Sequence, residues 1–429
     1  MSLHENQELT LTIEQIGGLG DGIARYEGRT VFVPFTSIGD VVRAQIDWIS
    51  KDGARASVRE IIIPGSARQA APCVHFGHCG GCSLQHLNAD TYREFKSAIL
   101  RNAVNKLGYD ASCMSPLVEV GAHSRRRAEL TLQVNKGNVR LGFLMPRSHQ
   151  LIDLEMCPVM EEVIFAIAAP FKAWACTLKK PQHISSISIT RLDDGLELLL
   201  HLREKLSPAE QESLRHFGES EPGILRIGTQ AAEQRISRIF SRGPAMIRLG
   251  AATVELPEGA FLQASAKGQE TLTELVVKHT DGAKRIADIY SGCGTYSFPL
   301  VGNDRHVHAY EGSADMVMAA QSAARRAGME SLVEFETRDL FRRPLNANEL
   351  AKFDAVVINP PRNGAEPQMQ QLAKSGVERT VIVSCNPATF ERDAIGMKRA
   401  GYALVEATPV DQFVWSPHLE LVAAFRKLA

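Results

Sequence analysis

The last third of the chain constrains the fold more than any other part of the sequence. From Lys284 onward, short apolar runs such as RIADIY, HVHAY, FDAVVI and RTVIVSC alternate with helical stretches such as DMVMAAQSAARRAGM and EPQMQQLAKSG. Apolar runs of this kind are typical of parallel strands that are buried on both faces of a sheet and connected by helices. The pattern therefore predicts a doubly wound α/β domain at this end of the chain.

A glycine-containing turn follows the first of these predicted strands. In KRIADIYSGCGTYSFPL the strand is followed by Gly292 and Gly294 and then by the start of a helix. Glycines at this place let the backbone approach a ligand at the carboxyl end of the sheet. The third glycine of the dinucleotide fingerprint and a phosphate-binding lysine are both missing, so a nucleoside cofactor without a pyrophosphate fits better than NAD or ATP. We therefore expect S-adenosylmethionine.

Polar residues mark the ends of the next strands. Glu311 ends the second strand, where an acid can hold ribose hydroxyls, and Asp339 ends the third. The fourth strand leads into NPPRNG, in which two prolines stiffen a turn that begins at Asn359. We expect these three side chains to line the same cleft as the glycine loop.

A cysteine and a short acidic motif complete the candidate site. The fifth strand, in VIVSCNPATFERD, ends at Cys385, on the same edge as the glycine loop. A lone cysteine is ordinarily a buried structural residue, but a thiol at this edge stands where a nucleophile would be needed. Close to the last strand, DQFVWSPHLELVAAFRK supplies Asp411, His418 and Glu420, any of which is either functional or simply a polar loop residue.

The first two thirds of the chain contain strands, turns and one long helix. Residues 7–62 are predicted to form about five short strands, which suits a small barrel of the oligonucleotide-binding type. A linker with Pro64 and Pro72 follows, and residues 88–108 have the period, cap and glycine stop of a helix. The segments AELTLQVNKGNVRLGFLM and ISSISITRLDDGLELLLHLRE each predict a hairpin.

Three cysteines lie close together in CVHFGHCGGCSLQHL. Cys73, Cys79 and Cys82 have the spacing C-x5-C-x2-C, and Cys157 is a distant fourth. Spacing alone does not separate a four-cysteine zinc site from an iron–sulfur cluster. A proline follows Cys157, which is mild evidence for the cluster because a proline often follows a ligand cysteine in iron–sulfur proteins.

Charge and composition limit the class of protein. The 429 residues are 44% hydrophobic and 23% charged, with a net charge of -1, which argues against binding nucleic acid through bulk charge. A basic stretch that includes Arg125, Arg126 and Arg127 either binds phosphates or forms the solvated face of a sheet. The sequence shows neither a signal peptide nor an apolar run long enough for a membrane span, so we expect a cytoplasmic protein with reduced cysteines.

Taken together, these motifs resemble those of the RNA uracil-5 methyltransferases, which make 5-methyluridine in ribosomal and transfer RNA. The resemblance rests on six ordered motifs: CVHFGHCGGCSLQHL, FLQAS, DIYSGCGTYSFPL, NPPRNG, SCNPATFERD and HLELV. It implies a TRAM-like barrel at 1–64, a central α+β RNA-binding domain at 65–260 that carries an iron–sulfur cluster, and a Rossmann-like class I methyltransferase domain at 261–429.

The resemblance also implies roles for single residues. Cys385 is expected to be the nucleophile and Glu420 the general base, while Cys73, Cys79, Cys82 and Cys157 are expected to hold a 4Fe-4S cluster. The positions that match the family's S-adenosylmethionine site are Gln263, Tyr290, Gly292, Thr295, Glu311, Asp339 and Asn359. The family usually has aspartate where this chain has Asn359. Arg125, Arg126 and Arg127 are expected to contact RNA.

The resemblance implies that the substrate is a uridine in RNA that is flipped out of its helix. The TRAM-like barrel favours 23S ribosomal RNA, with transfer RNA left open. We expect a monomer without a membrane partner. Two alternatives remain at this point. One is an amino-group methyltransferase, because NPPR is similar to the motif that holds an exocyclic nitrogen in such enzymes. The other is a catalytically inactive RNA-binding iron–sulfur protein.

Overall fold

The computed structural model describes residues 3–232, 234–302 and 304–428. The chain divides into two compact units, which we describe separately. The first unit contains the residues up to Ile99 together with Phe143–Pro158 and Phe413–His418. The second unit contains Leu100–Gly142, Val159–Gln412 and the residues from Leu419 onward. None of the helices in the described ranges is both long enough and apolar enough to cross a membrane.

The first unit begins with a six-stranded sheet in the order β1-β5-β6-β4-β3-β2. Its strands are β1 (Glu8–Thr12), β2 (Gln15–Ile16), β3 (Gly22–Tyr26), β4 (Arg29–Val33), β5 (Val41–Ile49) and β6 (Ala54–Ile63). Alternate residues of β1 are buried, and Leu11, Val31, Val42 and Ile46 contribute to the apolar core of the sheet. The sequence predicted about five strands; the sixth is β2, which has two residues and is too short to show the period of a strand.

Helix α1 (Ala89–Lys106) begins in the first unit and ends in the second. The side chain of Asn88 caps it by accepting a 2.9 Å hydrogen bond from the backbone N–H of Thr91. Gly108, with a φ of +79°, ends the helical region because this left-handed conformation favours glycine. The predicted helix over residues 88–108 is confirmed to within two residues at each end.

The next part of the chain is mostly β-structure. Its elements are β7 (Val118–Glu119), β8 (Arg127–Asn135), β9 (Asn138–Leu144), β10 (Leu151–Asp153), α2 (Glu162–Ala166), α3 (Ala168–Ala175), β11 (Ile184–Leu192), β12 (Gly195–Leu202), α4 (Pro208–Ser220), β13 (Ile224–Ala231), β14 (Ser237–Ser241), β15 (Met246–Leu249) and β16 (Ala252–Glu255). Strands of the second unit pair in the order β9-β8-β11-β12-β13-β14. The pairs β8–β9 and β11–β12 are antiparallel, which confirms both predicted hairpins.

The C-terminal part of the second unit alternates strands and helices as predicted. Its elements are α5 (Ala266–His279), β17 (Arg285–Ile289), α6 (Ser297–Leu300), β18 (His306–Glu311), α7 (Ala314–Arg326), β19 (Val333–Thr337), α8 (Ala347–Leu350), β20 (Ala355–Ile358), α9 (Glu366–Ser375), β21 (Arg379–Ser384), α10 (Pro387–Arg399), β22 (Tyr402–Asp411) and β23 (Glu420–Lys427). The sheet order is β19-β18-β17-β20-β21-β23-β22-β7. Strands β17 to β21 are parallel, whereas β23 is antiparallel to β21 and β22.

This strand order fixes where a ligand binds. The chain runs outward from β17 to β19 and then returns to place β20 on the other side of β17, so the order reverses between β17 and β20. Ligands of doubly wound sheets bind beyond the carboxyl ends of the strands at such a reversal. The glycine loop follows β17 and Asn359 follows β20, and the backbone N–H of Asn359 donates to the carbonyl of Ile289 at 3.1 Å. The two segments therefore lie side by side at the reversal point.

Candidate active site

The loop after β17 has the backbone of a ligand cradle. Tyr290, Gly292 and Gly294 have φ angles of +63°, +58° and +92°, so three of five successive residues are in the left-handed region. A Cβ atom added to Gly294 would lie 2.7 Å from the ring of Phe298, so packing requires glycine there. A Cβ atom added to Gly292 would meet nothing within 4 Å, so the backbone at Gly292 faces open space that a ligand can fill.

Glu311 holds this cradle in shape, and Asp339 orders the turn after β19. Glu311 ends β18, and its two carboxylate oxygens accept hydrogen bonds from the backbone N–H groups of Gly292 (2.9 Å) and Ser313 (2.8 Å). Each oxygen keeps a further lone pair that can accept a hydrogen bond from a hydroxyl group. Asp339, two residues beyond the end of β19, accepts hydrogen bonds of 3.1 Å from the backbone of Phe341 and Arg342.

Beneath the loop lies a buried polar pair whose hydrogen bonding is incomplete. One oxygen of Asp288 accepts a 2.6 Å hydrogen bond from the hydroxyl of Ser297. The other oxygen of Asp288 and the hydroxyl of Ser291 are buried without a partner among the described residues. Burial raises the pKa of Asp288 to about 7. Unpartnered polar atoms beside an open backbone cradle fit a polar nucleoside ligand, as the sequence predicted.

Cys385 follows the end of β21 and lies close to Arg362 and Glu420. Burial raises the pKa of the Cys385 thiol, and the negative charge of Glu420 adds to this effect. Arg362 acts in the opposite direction, because its side chain hydrogen-bonds the sulfur and its positive charge favours the thiolate. The side chain of Asn386 donates to the carbonyl of Arg362 at 3.1 Å, so the turns after β20 and β21 are linked. The structure thus brings a thiol, a carboxyl group and a guanidinium together.

Glu420 is the first residue of β23 and is only 2% exposed. Burial raises the pKa of its carboxyl group to about 7, although the hydrogen bond from Gln412 and the charge of Arg362 both lower it. A carboxyl group with this pKa can accept a proton at neutral pH and release it again. Strongly shifted groups of this kind cluster at functional sites.

A glutamine that the sequence interpretation passed over connects two of the predicted residues. The amide nitrogen of Gln412 donates to a carboxylate oxygen of Glu420 at 2.8 Å and to the side-chain oxygen of Gln263 at 2.9 Å. Gln263, predicted as a cofactor residue, is therefore linked to the predicted base. The motif DQFVWSPHLEL contains Gln412, but its flanking residues give no signal that distinguishes it from a polar loop residue.

The side chains of two of the three arginines, Arg126 and Arg127, contact the FLQAS segment. Arg126 is buried, and it donates to the carbonyl of Gln263 (3.0 Å) and to the side chain of Gln269 (2.6 Å). Burial lowers the pKa of Arg126 to about 10. Arg127 donates to the carbonyl of Leu262 at 3.2 Å and lies 5.3 Å from the ring centre of Phe261, which is 64% exposed. The segment Arg125–Arg127 is therefore only partly a solvated basic face.

The four predicted cluster cysteines all lie in the first unit. Gly80 donates a backbone hydrogen bond to Leu144 (3.0 Å) and Glu155 donates one to the His75 ring (3.0 Å), so the segment around Cys79 is tied to the segment that carries Cys157. Burial raises the pKa of Cys82 to about 12, and the charges of the other three cysteines add to this effect.

The cysteine side chains are not preorganised as a metal site. None of the eight cysteines, all of which the structure describes, forms a disulfide. Within the described part of the chain, no three or more His, Cys, Asp or Glu side chains are arranged so that they could hold a metal ion. The four sulfurs are thus close enough to influence one another, but they lie outside metal-binding geometry.

Comparison with known proteins decides the family. The family model described as tRNA (Uracil-5-)-methyltransferase matches residues 118–427, which include the glycine loop, Cys385 and Glu420. The chain belongs to this family. A TRAM domain model matches residues 3–58. The family assignment makes the chain an S-adenosylmethionine-dependent RNA methyltransferase of the uracil-C5 class.

Individual relatives agree with the family over the whole chain. An RNA methyltransferase of Caulobacter vibrioides, named as uncharacterized, is 39% identical over 427 residues, which are 97% of this chain and 99% of the relative. The 23S rRNA (uracil(1939)-C(5))-methyltransferase RlmD of Shewanella denitrificans is 30% identical and covers 97% of this chain and 96% of its own.

A solved structure has the same fold. It is the tRNA (uracil-54, C5)-methyltransferase of Pyrococcus abyssi in complex with S-adenosyl-L-homocysteine, with a TM-score of 0.75 and 23% sequence identity. The match covers 97% of this chain and 99% of that one. The predicted α/β methyltransferase fold is therefore confirmed as that of the uracil-5-methyltransferase family.

Proposed function

We propose that the protein methylates carbon 5 of a uridine in RNA through a transient covalent bond between Cys385 and carbon 6 of the base. The observation that supports this most directly is the convergence of Cys385, Arg362 and Glu420 beyond the carboxyl end of β21. An amino-group methyltransferase has no need of a cysteine at this place. The proposal also fits the family to which the chain belongs.

The first step activates carbon 5. The Cys385 thiolate, favoured by the Arg362 charge, adds to carbon 6, and the electron pair of the carbon 5–carbon 6 double bond moves toward oxygen 4 to give an enolate. Carbon 5 of this enolate is a nucleophile. When bound, S-adenosylmethionine supplies the methyl group for it, on a positively charged sulfur.

The second step restores the pyrimidine ring. Glu420, as a carboxylate, removes the remaining proton from carbon 5, the carbon 5–carbon 6 double bond forms again, and the bond between carbon 6 and the Cys385 sulfur breaks. The sulfur leaves as a thiolate and the proton passes from Glu420 to water. A pKa of about 7 lets the same carboxyl group take up and release this proton near neutral pH.

The cofactor residues are proposed from their positions around the cradle. Glu311 would hold the ribose hydroxyls through the free lone pairs of its carboxylate, and Asp339 would accept a hydrogen bond from the adenine. The remaining members of the proposed site are Gln263, Tyr290, Gly292, Thr295 and Asn359.

The proposed substrate is large-subunit ribosomal RNA, with transfer RNA as the alternative. The TRAM domain and the Shewanella relative favour ribosomal RNA, whereas the family description and the Pyrococcus structure name transfer RNA. Arg125 and Arg127 are the proposed phosphate contacts. Arg126, whose guanidinium is engaged inside the protein, would act by holding the FLQAS segment in place.

We also propose that Cys73, Cys79, Cys82 and Cys157 hold a 4Fe-4S cluster. Four thiols that approach one another within one unit are a suitable donor set, although their side chains must rearrange to bind it. The cluster would tie the linker to the 143–158 segment. We propose residues 1–64, 65–260 and 261–429 as the domain boundaries.

The experiment that tests the mechanism is trapping with 5-fluorouridine RNA. Fluorine at carbon 5 cannot leave as a proton, so the protein should form a stable adduct with a 5-fluorouridine-substituted fragment of 23S RNA in the presence of S-adenosylmethionine. The Cys385→Ala variant should form no adduct and should not methylate unmodified RNA. Methyl transfer by Cys385→Ala would instead support an amino-group methyltransferase. Cofactor binding without turnover on ribosomal or transfer RNA would support an inactive RNA-binding protein.

A further inference from the structure

Gln412 lies between the predicted base and a predicted cofactor residue and is itself buried. It is 2% exposed, and its amide nitrogen uses both hydrogens, one toward Glu420 (2.8 Å) and one toward Gln263 (2.9 Å). Both acceptors are oxygen atoms. If the amide were turned over, its oxygen would face a carboxylate and another amide oxygen, which repel it. The hydrogen bonds therefore fix the orientation of the amide.

This arrangement leaves one atom of Gln412 unsatisfied. Its side-chain oxygen is buried without a hydrogen-bond partner in the described ranges of the chain. An unpartnered buried amide oxygen destabilises the folded protein. An apolar side chain would fill the same space without leaving a polar atom unpartnered. The two donated hydrogen bonds therefore account for a glutamine at this position.

A glycine in the neighbouring helix makes room for Gln412. Gly268 lies in the first turn of α5, where alanine would stabilise the helix. A Cβ atom added to Gly268 would lie 2.8 Å from the side-chain oxygen of Gln412 and 3.0 Å from its Cβ atom. The Gln412 side chain thus occupies space that a larger residue at 268 would take.

We propose that Gln412 is a positioning residue that holds the Glu420 carboxylate toward carbon 5 of the bound base and, at the same time, fixes the amide of Gln263. The inference rests on the function proposed above and assigns to Gln412 a part in its second step, proton removal. Because the oxygen of Gln263 accepts from Gln412, the amide hydrogens of Gln263 remain for other partners. One side chain would thereby align the general base Glu420 with the cofactor side of the site.

The other groups that face Glu420 are known from their electrostatic effects. They are Arg362 from the turn after β20, Cys385 from the end of β21, and the buried hydroxyl of Tyr296 before α6. Arg362 stabilises the carboxylate, whereas a charge on Cys385 opposes it. Gln412 stabilises the carboxylate without carrying a charge. Its removal therefore raises the pKa of Glu420 and leaves the net charge of the site unaltered.

The test compares Gln412→Met with Gln368→Met. Methionine keeps the volume but cannot donate. Gln368 is a buried glutamine whose amide, among the described residues, bonds only the backbone of Leu345. In single-turnover methylation of 23S RNA, Gln412→Met should lower the rate at pH 7 by about tenfold, as expected for one lost hydrogen bond to a charged group. Its rate should recover at higher pH, and methylated RNA should remain covalently attached for longer. Gln368→Met should keep the wild-type pH profile.

A second variant, Gly268→Ala, keeps the test decisive if Gln412→Met does not fold. Gly268→Ala leaves every proposed catalytic group intact and should shift the pH profile in the same direction by a smaller amount. A wild-type pH profile for both Gln412→Met and Gly268→Ala, with an active wild-type enzyme, would overturn this inference alone. A loss of rate that does not recover with pH, equal to that of Gln368→Met, would also overturn it. A wild-type protein that forms no 5-fluorouridine adduct would overturn the proposed function together with this inference.

Discussion

The side-chain nitrogen of Lys96 lies 2.5 Å from the carbonyl oxygen of His418. Lys96 is buried in α1 and also donates to the carbonyl of Phe413 at 3.2 Å, so it joins the two ends of the loop Phe413–His418. The hydroxyl of Tyr92 accepts a hydrogen bond from the backbone of Trp415 at 2.9 Å in the same loop. This loop, which ends two residues before Glu420, is therefore held by α1 through polar contacts.

We expect Lys96→Met to destabilise the protein by about 1.5–3 kcal/mol, because it removes the hydrogen bonds that a charged, buried donor makes to the carbonyls of Phe413 and His418. The free energy of unfolding in urea measures this. Lys106→Met is the matched control: Lys106 belongs to the same helix, but its nitrogen forms an ion pair with Glu391 (3.0 Å) and is largely exposed, so the expected cost is below about 1 kcal/mol. Equal effects of the two substitutions would contradict the role given to Lys96.

A buried ion pair supports the segment that leads to FLQAS. Arg226 of β13 pairs with Glu197 of β12 and also donates to the carbonyls of Leu256 (2.8 Å) and Pro257 (2.9 Å). Arg226→Met leaves the Glu197 carboxylate buried without its partner, and we expect a loss of about 3–5 kcal/mol in the free energy of unfolding.

The control for this prediction is a pair whose arginine is exposed and lies on the neighbouring strand. Arg238 of β14 pairs with Glu258 at 2.5 Å, and the Arg238 side chain is more than half exposed. Arg238→Met should therefore cost less than about 1 kcal/mol. A cost for Arg226→Met as small as that of Arg238→Met would show that the buried pair contributes nothing beyond its volume.

The stability of the protein should fall between about pH 4 and pH 7 because of Asp288. Burial raises the pKa of this carboxyl group from 3.8 to about 7. Over this range the unfolded chain has released a proton that the folded protein still holds, so the free energy of unfolding decreases as pH rises, by roughly 4 kcal/mol in full. Asp288 contributes its full stabilisation below the pKa that it has in the unfolded chain. This contribution is lost as pH rises through the pKa that Asp288 has in the folded protein.

Asp288→Asn should remove this part of the pH dependence, since an amide does not ionise. Urea unfolding at pH 5 and pH 8 should show a smaller difference for Asp288→Asn than for the wild type, with Glu420 responsible for much of what remains. Asp281→Asn, at a position where the side chain is 85% exposed, should keep the wild-type difference. An unchanged difference in Asp288→Asn would show that Asp288 is already ionised in the folded protein at pH 5.

The sequence predicted the elements whose signal is local. The apolar runs of the parallel strands, the cap of α1 at Asn88 and the glycine loop at Gly292 are all readable from neighbouring residues, and each is present in the structure. The carboxyl ends of parallel strands meet at one edge, so the prediction that Cys385 lies on the same edge as the glycine loop required only the strand order.

The features that the sequence did not predict depend on distant contacts. Gln412 bonds Gln263, which is 149 positions away, and Arg126 bonds the backbone of the same residue from 137 positions away. Neither contact has a local pattern, because each arises only when the sheet brings the segments together. The burial of Arg126 is the clearest example, since a run of three arginines ordinarily indicates a solvated face.

Arg362 should set the pH at which Cys385 becomes reactive. Burial and the charge of Glu420 raise the pKa of the thiol, and the guanidinium of Arg362 opposes both by its hydrogen bond and its charge. Arg362→Met removes both of these favourable contributions, so the thiolate fraction at a given pH must fall. Alkylation of Cys385 by iodoacetamide, followed by mass spectrometry of its peptide, should therefore become slower at pH 8 and reach half its maximal rate at a higher pH. Arg342→Met, at a position that is 89% exposed, should leave the rate unchanged. Faster alkylation in Arg362→Met would mean that the arginine shields the sulfur more than it activates it, and the step in which the thiolate adds to carbon 6 would then need another source of positive charge.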